Sequence, residues 1–103
     1  MHVSVARDFT PHPGPRYRWQ GDFSGQEFRA KLVAWLARAD RLFVDLDGTS
    51  GFGSSFLDEA FGGLIRSEGM RKDDVKARVI IKSEMDESYK YDVEEAIELA
   101  RPA

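Results

Sequence analysis

LFVDLDGTSGFGSSFLDEAFGGLIR, residues 42–66, is the stretch of this chain that decides its fold class. Its first part, Leu42 to Leu46, is almost entirely apolar, as is typical of a central strand that is covered on both faces. The glycines that follow predict a loop. Apolar residues then repeat at helical spacing from Leu57 to Ile65. The stretch therefore predicts a buried strand, a glycine-rich loop and a helix.

The helix of this stretch is predicted to begin at Ser55. With Ser55 as N-cap, Asp58 stands three residues further on and completes a capping box. Gly62 and Gly63 lie inside the predicted helix, where each costs roughly 1 kcal/mol relative to alanine. They indicate that a neighbouring group packs close to the helix backbone or that the helix bends.

Elements of the same kinds flank this stretch. Ser24 opens a capping box that predicts the start of a preceding helix, with an apolar stripe from Phe28 to Ala39. Residues 77–82 predict a third core strand. A last helix is predicted within residues 86–101, and a second capping box at Asp92 leaves its start open.

The N-terminal part and one connection complete the predicted order. Alternation over residues 2–9 predicts a strand, and residues 16–20 predict a short strand paired back on it. Residues 10–15 hold three of the four prolines and predict a loop, and residues 70–76 predict a charged connection. The order predicts one α/β domain over residues 1–103. We expect a small sandwich with a mixed sheet of about four strands and three helices, in which both strand-helix-strand crossovers join parallel strands.

Composition excludes several classes of function. The chain has 103 residues, enough for one small domain, and no cysteine, so disulfides, thiolate catalysis and cysteine metal sites are absent. Its net charge of -3 gives no general attraction to nucleic acid or anionic lipid. No segment approaches the ~20 apolar residues of a membrane span. The N-terminus lacks the pattern of a signal peptide, so we expect a soluble, cytoplasmic protein.

Two aspartates at the end of the central strand suggest an enzyme. Asp45-Leu46-Asp47-Gly48-Thr49 resembles the first motif of the haloacid dehalogenase superfamily. The resemblance implies a phosphoryl-transfer reaction with magnesium, Asp45 as nucleophile and Asp47 as acid/base. That family also needs a lysine and a further acidic pair, for which residues 72–74 (Lys-Asp-Asp) are the local candidates. The alternative is that Asp47 and Gly48 only form a turn at the strand end.

The glycine-rich loop suggests a nucleotide site. Residues 51–55, Gly-Phe-Gly-Ser-Ser, could hold a phosphate against main-chain N–H groups. They lack the third glycine of a dinucleotide fingerprint and the Gly-Lys-Ser/Thr of a P-loop. A nucleotide-binding module therefore stays a weaker alternative, and we expect no cofactor.

Residues 42–64 resemble the strand-loop-helix core of STAS domains, the fold of bacterial anti-sigma-factor antagonists. Those domains have a strand ending in Asp-Leu-Ser-Gly or similar, then Asp-Ser-Ser-Gly, then a helix rich in Leu and Gly. Residues 45–48 (Asp-Leu-Asp-Gly) and 53–57 (Gly-Ser-Ser-Phe-Leu) occupy those places. The chain is also similar, over nearly its whole length, to an uncharacterised STAS-like family of prokaryotes. That similarity is carried by residues 8–9, 14–17, 23–29 and 53–64.

The resemblance implies a non-catalytic signalling or interaction module. In the antagonists a partner kinase phosphorylates a serine at the helix N-terminus and thereby switches partner binding. Ser54 or Ser55 stands at that position, although Gly53 replaces the aspartate that precedes the serines there. The implied partner is a protein such as an ATPase/kinase-like regulator, and the sequence leaves open whether the serine is modified or only caps the helix. The expected contact residues are Asp47, Gly48, Gly51, Gly53, Ser54, Ser55, Asp58 and Glu59.

A second partner surface is predicted beside the prolines. Arg16, Tyr17 and Trp19 would form an aromatic and basic patch typical of partner contacts if they are exposed. His2 and His12 lie at the terminus and in the proline-rich loop, so a metal site is not expected.

Overall fold

A computed structural model describes residues 1–103 and shows three strands and a set of mostly short helices. The elements are β1 (His2–Ser4), α1 (Val5–Asp8), α2 (Gly25–Leu36), β2 (Leu42–Asp45), α3 (Ser54–Leu57), α4 (Gly63–Arg66), α5 (Lys72–Arg78), β3 (Val79–Lys82) and α6 (Glu87–Leu99). A 3-10 turn (Arg18–Gln20) precedes α2, and a π-helical turn (Asp58–Gly62) joins α3 to α4. None of the helices combines the length and the apolar character that a bilayer span needs.

The sheet is parallel throughout, in the order β1-β2-β3. Val3 of β1 aligns with Val44 of β2, which aligns with Ile81 of β3. The α/β class, the parallel crossovers and the central place of the strand that begins at Leu42 are therefore confirmed. The prediction of a mixed sheet with about four strands and three helices is wrong in its details.

The missing strand is the one predicted at residues 16–20. There the Gln20 side chain folds back, and the Tyr17 N–H donates to Gln20 Oε1 at 3.0 Å. The Gln20 N–H donates to the Tyr17 carbonyl at 3.0 Å, which closes a 3-10 turn instead of a strand. The first strand is also shorter than predicted, because the Ser4 hydroxyl accepts the Arg7 N–H at 3.2 Å and caps α1.

The predicted connection at residues 70–76 contains a helix, α5. Asp73 and Asp74 lie in its first turn, and Lys76 and Arg78 lie in its last, which complements the helix dipole. Val75 is its buried residue, so the sequence offers no apolar repeat to reveal it. The third strand consequently begins at Val79. α6 is capped by Asp86, which accepts the Ser88 N–H, so of the two starts left open the helix uses the earlier one and not Asp92.

One cluster of 20 buried apolar residues lies between the sheet and the helices. Val44 of β2 points into it, whereas Phe43 and Asp45 on the opposite face are half-exposed. His2 stacks on Phe43 with ring centroids 4.5 Å apart, which shields part of that face. The prediction that the central strand is covered on both faces is therefore wrong.

Candidate functional site

The loop after β2 is fastened by Asp47. Its carboxylate accepts the N–H of Glu84 at 3.1 Å and the N–H of Met85 at 2.9 Å, in the segment that follows β3. The Asp47 N–H in turn donates to Asp45 Oδ1 at 2.9 Å. Asp47 therefore ties together the loops at the carboxyl ends of two neighbouring strands.

The rest of the loop is held by its own turns and by the proline-rich segment. Thr49 Oγ1 accepts the Gly51 N–H at 3.3 Å, and the Ser50 N–H donates to the Pro11 carbonyl at 2.8 Å. Gly48 and Gly51 have φ angles of 87° and 124°, in the region that side chains other than glycine rarely adopt. The path of the loop therefore requires glycine at these two positions. Ser54 and Ser55 follow at the end of the loop.

Both serines are exposed at the start of α3. Gly53 is the N-cap, and no side chain caps this helix. The prediction that Ser55 is the cap is wrong, because the helix begins at Ser54 and Ser55 already lies in the first turn. The N–H groups of Phe56 and Leu57 donate to the Gly53 carbonyl at 3.1 Å and 3.3 Å, so the main chain itself closes the first turn and neither serine hydroxyl takes part.

Asp58 and Glu59 begin the π-helical turn and are enclosed by three arginines. Arg16 Nη1 donates to Asp58 Oδ2 at 2.7 Å and to Glu59 Oε1 at 3.3 Å. Arg66 donates to both carboxylate oxygens of Asp58, at 3.3 Å and 3.1 Å. Arg29 Nη1 is hydrogen-bonded to Glu59 Oε2. Both acidic side chains are thus committed to contacts within the chain.

Arg29 is the buried cation of this network. Its exposure is 8% and that of Glu59 is 7%. Its Nε donates to Glu68 Oε2 at 2.9 Å. A Cβ placed on Gly63 would lie 2.6 Å from Arg29 Nη1, so Gly63 leaves the space that the guanidinium fills. This confirms the expectation that a neighbouring group packs close to the backbone at the paired glycines.

The network shifts the pKa values of its outer members. Burial raises the pKa of Asp58, but hydrogen bonds and charge from Arg16 and Arg66 outweigh burial and hold that pKa below its usual value. Burial lowers the pKa of Arg16, and its hydrogen bonds to Asp58 and Glu59 reverse this and raise it. Both groups therefore stay charged throughout the neutral range.

The predicted aromatic patch is only partly accessible. Trp19 is 81% exposed and Tyr17 is 37% exposed, and their rings stack with centroids 6.2 Å apart. The Arg16 guanidinium reaches into the network, and its central carbon also lies over the Tyr17 ring, 5.8 Å from the ring centroid. The structure thus brings Arg16 to the acidic turn and leaves the two aromatic rings at the surface.

A surface notch of about 230 Å³ joins Ser54 to the network. Arg16 and Asp58 line it from one side, and Asp92 and Glu95 of α6 line it from the other. Since Asp58 is paired with arginines, Asp92 and Glu95 are the acidic groups that face Ser54 without a cation of their own in the notch.

The family follows from the segment that contains this loop. The family model described as STAS-like domain of unknown function (DUF4325) matches residues 24–89. The chain belongs to this family. Searches of curated proteins and of solved structures found no match to it. The STAS-like match includes the loop and the serines but not Arg16, Tyr17 and Trp19, although the resemblance was expected to cover nearly the whole chain.

The residues expected for a phosphoryl-transfer centre belong to different elements of this STAS-like chain, with Asp45 at the end of β2. Asp45 Oδ2 lies 3.7 Å from Lys82 Nζ. Lys72, Asp73 and Asp74 lie on α5, where Lys72 Nζ donates to the Glu98 carbonyl of α6. No group of three or more His, Asp or Glu side chains is arranged to hold a metal ion.

Sequence reasoning missed Arg29, Arg66 and Glu68, three of the six charged residues of the network. One signal was available for Arg29. It lies three and seven residues before Leu32 and Leu36, so it shares the apolar side of α2. A charged residue within an apolar stripe predicts a buried partner of opposite charge. Here that partner is Glu59, in the helical segment that contains Gly62 and Gly63.

Proposed function

We propose that this STAS-like domain is a non-catalytic interaction module that docks a protein partner through residues 48–59. The proposal is supported by a contrast within this segment between an exposed tip and firmly held flanks. Gly53, Ser54 and Ser55 are exposed, whereas the loop before them is fastened by Asp47 and the helix after them by the arginine network. A firmly held, exposed tip loses little conformational entropy when a partner binds it.

A serine switch extends the proposal. A phosphate on Ser54 or Ser55 would add a charge of about −1.5 to −2. For Ser54 it would enter a notch that already contains Asp92 and Glu95. Because the hydroxyls are exposed and cap nothing, the modification would change the charge of the docking surface while it leaves the core contacts in place.

The aspartates support the same proposal over an enzymatic one. Both oxygens of the Asp47 carboxylate accept main-chain N–H groups, which suits a structural anchor better than a group that must exchange protons. A phosphatase assay with magnesium separates the two functions. Magnesium-dependent turnover by the wild-type protein that Asp45→Asn abolishes would replace the interaction module by an enzyme.

The docking experiment compares affinity captures from the native cells with purified wild type, Ser54→Asp and Ser55→Asp. Ser67→Asp is the matched control, because Ser67 is an exposed serine at the far end of the same helical segment. We expect a protein that is captured by wild type and Ser67→Asp and is lost with at least one of the other two variants. Equal capture by all four proteins, with unchanged thermal melts, would contradict docking at the serine tip.

A further inference from the structure

A second surface lies along α6 beside the serine notch, and Glu95 and Leu99 line both. There, a groove of about 630 Å³ separates the strand β3 from α6. Val79 and Ile81 line its strand wall, and Tyr91 and Ile97 belong to its helix wall. The groove is thus mostly apolar where it meets the core and charged at its rim.

The strand wall is an open sheet edge. β3 is the last strand in the order β1-β2-β3, so no strand pairs with its outer side. Unpaired edges are usually protected by prolines, bulges or inward-pointing charges because they can pair with another chain. β3 reads Val79-Ile80-Ile81-Lys82 and carries one charge, at its end. This edge is therefore able to accept a further strand.

The helix wall carries a self-complementary pattern. Lys90 and Tyr91 stand near one end of the exposed stripe of α6, and Glu98 and Leu99 stand near the other. Tyr91 and Leu99 are each 64% exposed. The two pairs are eight residues apart, about 12 Å along the helix. An antiparallel copy of the same stripe would place lysine opposite glutamate and tyrosine opposite leucine at both ends.

We propose that β3 and the outer stripe of α6 form a dimer face that binds a second copy of this chain. A two-fold axis perpendicular to the sheet makes both elements antiparallel to their mates, which joins two three-stranded sheets and packs α6 on α6. Lys90 of each copy then meets the other copy's glutamate at position 98, and the Tyr91 ring enters the other copy's groove. Isologous contacts of this kind are the commonest in homo-oligomers.

The size and the remaining charges of the dimer face set its strength. α6 has 13 residues and is therefore about 20 Å long. A helix packed on a sheet is about 20 Å deep with its side chains, so the face that each copy contributes has an area of roughly 400 Å². Standard interfaces bury about 800 Å² per partner, so this face is about half the usual size.

Like charges on the dimer face also oppose association. Glu94 lies near the axis and meets its own mate, and Glu95 adds a further negative charge. Lys76 is engaged with Glu98 within the copy at 2.8 Å. The dimer is therefore weak and depends on concentration.

Sedimentation velocity of the full chain from about 1 µM to 1 mM tests the proposal. Wild type should pass from monomer to dimer mass across this range, as expected for a small interface. Leu99→Asp should weaken association at least about tenfold, and Glu94→Gln should tighten it because it removes a like-charge contact. Lys31→Glu, an exposed change on α2 outside the groove, is the matched control and should leave association unchanged.

A charge exchange tests the antiparallel register. Lys90→Glu and Glu98→Lys should each weaken the dimer, and the double variant should restore it to within about threefold of wild type, since the opposite charges meet again. The pair between Lys76 and Glu98 is lost both in Glu98→Lys and in the double variant, so the comparison of these two isolates the contact between copies. Thermal melts show that each variant is folded.

Three results would overturn the proposal. They are a wild-type chain that remains monomeric at every concentration, a dimer that Leu99→Asp and Lys90→Glu leave intact, and a double exchange that associates no better than the single variants.

Discussion

Arg29→Met removes the buried cation of the arginine network and should be strongly destabilising. The change deletes the hydrogen bonds from Arg29 to Glu59 and Glu68. Breaking a buried ion pair by removal of one partner costs about 3–5 kcal/mol, because the other charge stays buried without compensation. Arg16 remains 3.3 Å from Glu59 Oε1, so we expect the lower end of that range, about 3 kcal/mol. At 4–8 °C per kcal/mol for a domain near this size, the melting temperature should fall by about 12–24 °C.

Chemical and thermal unfolding monitored by circular dichroism measure this effect. Arg7→Met is the matched control, because Arg7 pairs with Asp8 at the surface with 69% of its side chain exposed, and the change should leave the melting temperature nearly unchanged. The double variant Arg29→Met with Glu59→Met should be more stable than the sum of its single changes, since neither buried charge is left alone. A loss below about 1 kcal/mol for Arg29→Met, or additive losses in the double variant, would refute the reasoning.

Other predictions concern single positions. Gly63→Ala should lower the free energy of unfolding in urea by about 1–3 kcal/mol, because the new methyl group would clash with Arg29. If Gly63 were only a poor helix former, its replacement by alanine would instead stabilise the protein. Asp47→Ala should lower the free energy of unfolding by about 1.5–3 kcal/mol, since two hydrogen bonds to a charged group are lost; an unchanged urea midpoint would contradict its role as anchor. Ser55→Ala should shift the melting temperature by no more than a few degrees, and a loss above about 1 kcal/mol would restore the capping role. The folded pKa of Asp58 lies below its unfolded value of about 3.9, so its stabilising contribution is complete above that value and is lost as pH falls through the folded pKa. The free energy of unfolding in urea should therefore fall more steeply from pH 5 to pH 2 in wild type than in Asp58→Asn. If the two proteins lose stability in parallel over this range, Asp58 does not make the predicted contribution.

The central strand, loop and helix could be predicted because their signals are local. The apolar run from Leu42 and the glycines after Asp47 each report on a few neighbouring residues, and the structure confirms both elements. The strand predicted at residues 16–20 was wrong. Tyr17 and Trp19 are two residues apart, as on one face of a strand, but the Gln20 side chain accepts the Tyr17 N–H and stabilises a turn there. Helix α5 was missed because a single buried residue creates no repeat.

The arginine network could not be predicted, since it depends on distant partners. Arg16 and Asp58 are 42 residues apart along the chain, and Arg29 and Glu68 are 39 apart. The packing of α2 against the π-helical turn brings Arg29 to Glu59, and the segment before the 3-10 turn brings Arg16 to Asp58. The sequence did indicate the space for this packing, at Gly62 and Gly63, but not which side chain fills it.

The π-helical turn gives the segment from Ser54 to Arg66 one residue more than a regular α-helix over the same path needs. Such a turn absorbs the extra residue by widening, and it leaves the helix on either side in its original rotational register. Deletion of one residue between positions 60 and 62 would therefore let the segment close into a regular helix, while Phe56 and Leu57, which are fully buried, keep their places in the core. In α2, which has no such turn, deletion of one residue rotates everything that follows by about 100°. An indel scan should therefore find a single deletion in the π-helical turn better tolerated than a single deletion inside α2.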